Sequence, residues 1–554
     1  MSKKILVAVA WPYVNGEPHL GHIAGMNVPA DIFARYHRIV GNKVAMVSGS
    51  DMHGTPTALK AADEGVEPSE VAFKFHKIWK SLLEKMGFSY DLYTHTHTKN
   101  HEEVVSKIFL KLQKRGLLYE KTHKMPFSLT ENRFLPDRFV EGTCPQCSFS
   151  KARGDQCEQC GRTLDPTDLI NIKSIRDNST PEFRETTHQF FKLSKYNKIL
   201  EEWISKKDQW RINVKNQSIG MLREGLKDRA ITRDIEWGIP IPIKDGYKTK
   251  RIYVWFEAVI GYLSATVEWA KIQGDENLWE EFWLDKNAES YYFQGKDNIP
   301  FHAIIWPAIL LGYENHNLPT DVVANEYLNL GGLDFSKSKG HAIWLSDYLK
   351  RYEPEPLRYY LTSIMPETSD SEFTWAGFVA SNNNELVATL GNFIHRVLTI
   401  SNKNFDFLVK PKKLNQKDRE ILQACDTTLS EVSNSIKKRK FRLALQNAMN
   451  LAHIGNKYID DEKPWATVKI NKTKASNTLW VGINIISTLR TVFYPFLPKS
   501  SDLIHKMLNF EDNTLSDGWK RKVLPAKLKI DKPTPLFQKL DEEIIIEENN
   551  RLLN

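Results

Sequence analysis

KILVAVAWPYVNGEPHLGH, residues 4–22, is the stretch that decides the fold of this chain. The apolar run from Ile5 to Trp11 ends at Pro12 and is typical of a parallel strand that is buried on both faces. After the turn, a helix is expected to begin at His19–His22. The stretch therefore predicts a strand, a turn and a helix start at the ligand-binding edge of an α/β sheet.

The helix start carries His19, Gly21 and His22. Free backbone N–H groups and the helix dipole favour an anion there, and neutral imidazoles can donate hydrogen bonds to phosphate oxygens. Gly21 lacks a side chain, which lets a nucleotide approach the backbone. Taken alone, the pattern is also that of ordinary surface histidines.

A second candidate for phosphate binding lies far downstream, at residues 333–340, LDFSKSKG. Gly331 and Gly332 precede it, and Lys337 and Lys339 alternate with serines. This composition is typical of a mobile cationic loop that binds polyphosphate.

Together the two segments resemble the HIGH and KMSKS motifs of class I aminoacyl-tRNA synthetases. The residues around them are similar to the methionyl-tRNA synthetase family over nearly the whole chain. The resemblance implies binding of ATP, with Mg²⁺, and of L-methionine and tRNA. It assigns ATP binding to His19, Gly21, His22, Ser336, Lys337 and Ser338.

Catalysis in this family needs hydrogen-bond donors and cations that stabilise the negative charge developing on the ATP phosphates in the transition state. The resemblance gives that role to Lys337, His19 and His22. Asp334 replaces the first lysine of the family motif, and a carboxylate repels a triphosphate. We therefore expect the site to depend on Lys337, Lys339 and Arg233.

Length and composition describe a multidomain globular protein of 554 residues, with 26% charged and 41% hydrophobic residues. A formal charge of +8 permits a polyanionic partner without requiring one. The apolar runs are too short or too interrupted to span a membrane. We therefore expect no membrane association and a cytoplasmic location.

A second strand is expected over Lys43–Ser48, and Asp51 follows it in the run DMHGTP. An acid at this edge can pair with a substrate ammonium, although it can equally cap the next helix. The resemblance assigns Asp51 to the α-amino group of methionine.

Four of the five cysteines form two short knuckles, Cys144, Cys147, Cys157 and Cys160. This spacing predicts one tetrahedral Zn²⁺ site, and four thiolates leave no open position for catalysis. The zinc is therefore expected to be structural.

The run from Tyr253 to Tyr262 is predicted to pass from a strand into a helix. An aromatic stripe at helical spacing usually belongs to a core, but a thioether also gains from contact with rings. The resemblance implies a methionine pocket formed by Ala10, Trp11, Tyr13, Asp51, Trp255, Ala258, Tyr262 and His302.

Gly295 and Asp297 follow another predicted strand. A carboxylate there can accept hydrogen bonds from both ribose hydroxyls, whereas without the family a helix cap is the simpler interpretation. The resemblance assigns both residues to the adenosine ribose of ATP.

From about Glu385 the pattern becomes helical and predicts a bundle, in which the basic run Lys437–Lys440 is a solvated face. Asn392 and Arg396 lie one helical turn apart, and an exposed Trp465 could stack a base. The resemblance makes these three the anticodon-binding residues for initiator and elongator tRNA(Met). Residues after Pro533 are expected to form a short closing helix, which favours a monomer.

The predicted architecture is a Rossmann-type parallel-sheet catalytic domain, split by a zinc-knuckle insertion and followed by an α-helical bundle. Its expected segments are a first catalytic half (1–115), the insertion (116–230), a second catalytic half (231–325), the KMSKS-loop region (326–384), an anticodon-binding domain (385–532) and a closing helix (533–554).

The activity implied by the resemblance is methionine–tRNA ligation through methionyl-adenylate, with release of pyrophosphate. Valyl, isoleucyl and leucyl enzymes need an editing insertion that this chain is too short to hold, and a cysteinyl enzyme needs an open zinc. The remaining alternative is an inactive relative that only binds RNA, which Asp334 alone favours.

Overall fold

The computed structural model describes residues 2–162, 164–243, 247–334 and 342–553. Ser336, Lys337, Ser338 and Lys339, as well as the side chain of Asp334, lie outside the described residues.

The first part of the chain alternates strands and helices. A π-turn at Ile23–Asn27 separates the first helix from the second, in which Pro29 lacks the N–H that a continuous helix would use. The elements are β1 (Lys4–Val9), α1 (Leu20–His22), α2 (Val28–Ile39), β2 (Lys43–Ser50), α3 (Thr55–Glu64), α4 (Pro68–Lys85), β3 (Leu92–His95) and α5 (Lys99–Lys114).

The insertion is formed by antiparallel strands and two helices, and a 3₁₀ turn at Asp137–Phe139 links two of the strands. Its elements are β4 (Leu118–Ser128), β5 (Arg133–Phe134), β6 (Val140–Thr143), β7 (Ala152–Arg153), β8 (Ile170–Ser174), β9 (Glu182–Phe191), α6 (Asn197–Ser205), α7 (Ile212–Glu224) and β10 (Arg229–Ala230).

The chain then returns to the first sheet. The elements of this part are β11 (Thr232–Arg233), β12 (Arg251–Ile252), α8 (Val254–Ile272), α9 (Glu280–Trp283), β13 (Glu289–Gly295), α10 (Trp306–Tyr313) and β14 (Asp321–Asn325). Helix α8 already begins at Val254, so residues 254–262 are entirely helical rather than partly strand.

The last part is mainly helical. Its elements are β15 (Leu328–Leu330), β16 (Leu333–Asp334), α11 (Leu345–Arg351), α12 (Pro354–Ser363), β17 (Ser371–Phe373), α13 (Trp375–Ala380), α14 (Asn392–Asn404), β18 (Leu408–Val409), α15 (Gln416–Lys437), α16 (Phe441–Glu462), α17 (Pro464–Ile470), α18 (Lys472–Phe493), α19 (Pro498–Met507), β19 (Lys527–Leu528) and α20 (Glu543–Leu553).

The central sheet has the order β14-β13-β1-β2-β3, and every pair in it is parallel. Alternate residues of β1 enter two cores: Ile5, Val7 and Val9 pack on one face, while Leu6 and Ala8 pack on the other. The strand order reverses between β1 and β13, because the chain runs from β1 to β2 and β3 on one side and later returns to the other side of β1; such a switch point is where these sheets bind ligands.

The predicted fold class, a parallel α/β sheet with a cysteine-bearing insertion and a helical C-terminal part, is confirmed. The segment boundaries drawn from the sequence stay a prediction. Within the described residues, no helix combines the length and the apolar character that crossing a membrane requires.

Candidate active site

The histidine turn lies at the carboxyl end of β1. His19 is the N-cap of α1, and its backbone N–H donates to Nδ1 of His22 at 3.2 Å. The two rings have centroids 3.7 Å apart, and Trp79 packs edge-on against His22. Because Nδ1 accepts this bond, a neutral His22 carries its proton on Nε2, where it is a donor.

The segment after residue 341 pairs with this turn. The backbone N–H of Leu20 donates to the carbonyl of Ile343 at 3.2 Å, and that of Leu345 donates to the carbonyl of Pro18 at 2.9 Å. His19 and Trp344 thereby form an antiparallel bridge. The segment that leaves the predicted cationic loop is therefore attached to the turn that carries both histidines.

Asp51 lies beside the segment that leaves β1. Its backbone N–H donates to the carbonyl of Pro12 at 2.9 Å, and it forms a parallel bridge with Tyr13. Its carboxylate is buried, and Oδ1 has no hydrogen-bond partner among the described residues. Burial, and then the nearby charge of Glu257, raise the pKa of Asp51 well above its usual value. A buried carboxylate in this state lacks a cation.

An aromatic pocket adjoins Asp51. Nε1 of Trp255 donates to the hydroxyl of Tyr13 at 2.7 Å, and the ring of Trp11 meets that of Tyr262 edge-on at 6.4 Å. On the buried helix α8, Trp255 and Ala258 are partly exposed, one turn apart. Ala10, the first residue after β1, is buried in the same part of the sheet edge. The eight residues predicted for methionine thus come from the ends of adjacent strands and from α8 and the turn after β13.

Trp11 fits into this pocket because two neighbours are glycines. A Cβ atom on Gly49 would lie 2.4 Å from Cζ3 of Trp11, and one on Gly261 would lie 2.8 Å from Cε2. Either distance is a clash, so a large side chain at position 11 requires both glycines.

His302 has a defined tautomer. Its Nδ1 lies 2.9 Å from the carbonyl of Asn298, to which it can only donate, and its Nε2 lies 2.6 Å from the hydroxyl of Tyr262. Nε2 therefore accepts from the hydroxyl. Burial lowers the pKa of His302 to about 4, so the ring is neutral at pH 7. It fixes the orientation of Tyr262.

Gly295 ends β13, and Asp297 lies in the 3₁₀ turn that follows. Asp297 is exposed toward the cleft, yet the protein around it desolvates its carboxylate and raises its pKa. A Cβ on Gly295 would lie 2.8 Å from Oδ1 of Asp297, so the two residues form one compact acceptor surface.

Arg233 is buried where the insertion meets the catalytic part. Its Nε donates to Oδ2 of Asp137 at 3.0 Å, and its Nη1 donates to the carbonyls of Ala230 and Thr232. Its guanidinium carbon lies 4.0 Å from the ring centroid of Tyr253. The structure thus places this predicted cation against an internal carboxylate, and its role toward ATP stays a prediction.

The four cysteines converge in the insertion. Their Sγ atoms all lie within 4.8 Å of one another, with Cys144 4.0 Å from Cys160 and Cys147 3.5 Å from Cys157. Sulfurs that bind one zinc ion at about 2.3 Å lie about 3.8 Å apart at tetrahedral angles. The four thiols therefore form a site of the right size for one metal ion.

The predicted anticodon residues lie far along the helical part. Asn392 begins α14, Arg396 follows one turn later, and the guanidinium carbon of Arg396 lies 5.0 Å from the ring centroid of Trp465. Nη2 of Arg396 also donates to Asp460 at 2.7 Å. Trp465 is 39% exposed, which leaves ring surface for stacking.

A buried charge network beside Asp51 was not predicted from the sequence. Glu257 accepts from His53 at 2.8 Å and from His101 at 3.3 Å, and Nε2 of His53 lies 3.0 Å from Nδ1 of His97. Burial opposes the ionisation of Glu257, but the two imidazoles outweigh it and hold its pKa below the usual value. A glutamate in the apolar first half of α8, residues 254–263, was the signal that could have found it.

Comparisons with known proteins agree on one family. The family model for tRNA synthetases class I (M) matches residues 5–398, and the model for the anticodon binding domain of methionyl tRNA ligase matches residues 410–552. A methionine–tRNA ligase of Dehalococcoides mccartyi is 47% identical over 553 residues, covering 100% of both chains. One of Roseiflexus castenholzii is 46% identical over 586 residues, covering 100% of this chain and 99% of its own.

Among solved structures, Mycobacterium tuberculosis methionyl-tRNA synthetase in complex with methionyl-adenylate matches with a TM-score of 0.81 at 23% identity. The match covers 97% of this chain and 99% of that one. At this identity it shows that the two folds are alike.

Proposed function

The chain belongs to the methionyl family of class I tRNA synthetases, and we propose that the residues at the carboxyl edge of its central sheet carry out methionine–tRNA ligation. The enzyme activates methionine with ATP to methionyl-adenylate and pyrophosphate, and then transfers methionine to the terminal ribose of tRNA. The observation that carries the assignment of the site is the position of Asp51. This buried carboxylate, whose Oδ1 has no hydrogen-bond partner among the described residues, lies beside an aromatic pocket, on the same sheet edge as the histidine turn.

Methionine is bound by charge at one end and by rings at the other. The ammonium group of methionine pairs with Asp51 and supplies the counter-ion for this buried carboxylate. The thioether lies among Trp11, Trp255 and Tyr262, since a polarisable sulfur gains from contact with ring edges. The remaining pocket residues are Ala10, Tyr13, Ala258 and His302.

ATP binds across the switch point of the sheet. His19 and His22 donate to its phosphates, Gly21 permits close approach, and Gly295 and Asp297 receive the ribose. Ser336, Lys337 and Ser338 contact the triphosphate from the loop whose following segment pairs with the histidine turn. Mg²⁺ accompanies ATP and neutralises charge on its phosphates.

The chemistry needs no protein nucleophile. A methionine carboxylate oxygen attacks the α-phosphorus in line, and the bond to the bridging oxygen breaks as pyrophosphate leaves. The 3′-terminal ribose hydroxyl of tRNA then attacks the carbonyl carbon of the adenylate and AMP leaves. His19, His22 and Lys337 catalyse the reaction by positioning ATP and by stabilising the charge that develops on its phosphates. Arg233 is predicted to contribute a further positive charge.

The cysteine site holds one structural Zn²⁺, because four thiolates close the coordination shell. The ion folds the knuckle and takes no part in the reaction. Backbone N–H groups of Gln146 and Cys147 support a thiolate at Cys144: burial opposes its ionisation, but these groups lower its pKa to about 7.

Recognition of tRNA takes place on the helical part. The ring of Trp465 stacks an unpaired anticodon base, while Asn392 and Arg396 read its edge. Initiator and elongator tRNA(Met) share the anticodon, so both are substrates. We further propose that the enzyme acts as a monomer in the cytoplasm.

The test is ATP–pyrophosphate exchange by the purified chain with each of the twenty amino acids in turn. Exchange that depends on methionine alone, followed by charging of tRNA(Met), is expected. Binding of tRNA without exchange would overturn the proposal and leave an inactive RNA-binding relative. Exchange with valine, isoleucine or leucine at comparable efficiency would reassign the pocket.

A further inference from the structure

The insertion brings a second arginine to the active site. Arg138 lies in the 3₁₀ turn Asp137–Phe139, which packs against α3, the helix that follows Asp51. Its guanidinium carbon is 5.9 Å from the ring centroid of Tyr13, a residue of the proposed methionine pocket. Its side chain is 26% exposed, which leaves part of it accessible to a ligand.

Arg138 has donors to spare. Nε donates to Oδ2 of Asp155 at 2.7 Å, and this is its only side-chain hydrogen bond with the described part of the chain. Both terminal NH₂ groups have no protein acceptor there. The neighbouring Arg233 differs, because it uses Nε and Nη1 on Asp137 and two carbonyls. Of these two arginines, Arg138 has more N–H donors without an acceptor among the described residues.

The charge of Arg138 acts on both substrate sites. Burial, and then the charge of Asp51, raise the pKa of Tyr13, and Arg138 opposes that rise. Arg138 likewise opposes the rise that desolvation causes at Asp297. The guanidinium is therefore near enough to act electrostatically on a residue of the proposed methionine site and on a residue of the proposed ribose site. The carboxylate of methionine and the α-phosphate of ATP must meet between these two sites.

We propose that Arg138 binds the anionic oxygens at this junction, where the carboxylate attacks the α-phosphate. A planar guanidinium with two free NH₂ groups matches the geometry of either oxyanion. This role rests on the proposed function and adds to it a cation that the insertion supplies.

Asp155 is the positioning residue for Arg138. It lies two residues before Cys157, and its carboxylate is buried at the knuckle. The backbone N–H of Gly154 donates to the carbonyl of Asp137 at 2.9 Å, which fixes the knuckle to the turn that carries Arg138. The metal-binding knuckle thus has a consequence for catalysis, because it holds the carboxylate that orients the active-site arginine.

The first test compares Arg138→Gln with Arg153→Gln in methionine-dependent exchange. Arg153 is a matched control from the same insertion, where it pairs with Glu141 at the surface. Loss of a preorganised donor to developing charge should lower kcat about 100-fold in Arg138→Gln and leave Arg153→Gln like the wild type. An Arg138→Gln rate equal to that of the control overturns the proposal. Absence of exchange in the wild type would instead refute the proposed function.

Two pairs of ligands show whether Arg138 binds the carboxylate of methionine or the phosphates of ATP. Calorimetry with methionine and with methioninol, which lacks the carboxylate, shows whether Arg138→Gln weakens only the carboxylated ligand. A second pair of titrations, with ATP and with adenosine, which lacks the phosphates, shows whether Arg138→Gln weakens only the phosphorylated ligand. If Arg138→Gln binds methionine or ATP more weakly but binds the analogue without the anionic group as the wild type does, the result supports the proposal and identifies which oxygens Arg138 binds. Equal weakening within both pairs overturns it, since a structural defect does not discriminate by charge.

The positioning role has its own test. Asp155→Asn should lower kcat about tenfold while the zinc content and the thermal transition stay at wild-type values. Arg138→Lys should recover part of the activity that Arg138→Gln loses, because it keeps the charge but not the planar fork. Full activity in Asp155→Asn contradicts the positioning role, and an Arg138→Lys variant no better than Arg138→Gln contradicts a role for charge.

Discussion

The hydroxyl of Ser346 donates a hydrogen bond to the carboxylate of Glu17, two residues before His19. The bond joins the first turn of α11 to the turn that leads into the histidine pair. With the backbone pairing of Leu20 and Ile343, it attaches the segment after residues 335–341 to the phosphate-binding edge of the sheet. Two segments more than 300 residues apart in sequence thereby share one edge.

Ser346→Ala removes this side-chain attachment. A hydrogen bond to a charged group contributes about 1.5–3 kcal/mol, so we expect adenylate formation to slow about tenfold. Methionine affinity should not change, because the pocket residues are untouched. Stopped-flow measurement of adenylate formation checks the rate. Ser363→Ala is the control, since the one side-chain partner of Ser363 among the described residues is the carbonyl of Tyr360 in its own helix. A wild-type rate in Ser346→Ala would show that the backbone hydrogen bonds of Leu20 and Leu345 are enough to hold this segment against the histidine turn.

Asp51→Asn tests the ammonium site. The variant keeps the size of the side chain and loses its charge, so the methionine ammonium would be buried without a counter-ion. We expect the KM for methionine to rise at least about 100-fold and the KM for ATP to change little. Asp63→Asn, on the exposed face of α3, is the control. Parallel changes in both KM values would indicate a distorted site instead.

The pH dependence of methionine binding follows from the same residue. Burial and Glu257 raise the pKa of Asp51 well above its usual value, so the free enzyme holds a proton there at a higher pH than an ordinary aspartate does. Methionine needs the ionised form, and its binding must then release a proton. Affinity should therefore fall as pH drops through the raised pKa. Calorimetry in buffers of different ionisation heat measures the proton release, and proton uptake would contradict the assignment.

Local motifs predicted the parts of the site that lie within one segment. His19, His22 and Asp51 each follow a strand of the sheet, and that position alone indicates a ligand-binding edge. Arg138 and Glu257 could not be found in this way, because their importance depends on neighbours that are distant in sequence. Asp155 and His53 become their partners only after folding.

Helix α8 shows a second limit of sequence patterns. Thirteen of its 19 residues are buried, including every one from 259 to 266, so the alternation of polar and apolar positions that marks a surface helix is missing there. An apolar run of this kind resembles a buried strand, which is why a strand was predicted to enter it. The partly exposed pair Trp255 and Ala258 identifies its cleft face only in the folded chain.

Removal of the metal should affect activity through the insertion. The knuckle has a small core of its own, built around Phe139, Val140 and the buried Cys144 and Cys157, and such a core is not stable without a cross-link. Cys147→Ser should lose the bound zinc. It should lower the rate of ATP–pyrophosphate exchange at least as much as Asp155→Asn does. Elemental analysis is expected to give one zinc per wild-type chain. Full exchange in a metal-free variant would separate the knuckle from catalysis.

The ion pair between Asp31 and Arg358 connects the helix after the histidine turn to the helical part. Asp31 accepts from Nη2 of Arg358 at 2.6 Å and from Ser89, and Arg358 also donates to the carbonyl of Phe496. Burial opposes the ionisation of Asp31, but Arg35 and Arg358 outweigh it and hold its pKa below the usual value. The lowered pKa means that this carboxylate stabilises the fold at neutral pH.

Asp31→Asn leaves the buried Arg358 without its counter-ion, which should cost about 3–5 kcal/mol of unfolding free energy at pH 7. A folded-state pKa below the unfolded one gives stability that is present above the unfolded value and is lost as pH falls. The difference between wild type and Asp31→Asn in urea unfolding should therefore stay constant from pH 7 to about pH 5 and narrow as pH falls below about 4, the pKa of an unfolded aspartate. The double variant Asp31→Asn, Arg358→Met should be more stable than Asp31→Asn alone, because it removes the more deeply buried of the two arginines that pair with Asp31: the side chain of Arg358 is 1% exposed and that of Arg35 is 13% exposed. A difference that widens toward acid pH, or a double variant less stable than the single one, would show that the pair does not govern the stability of this junction.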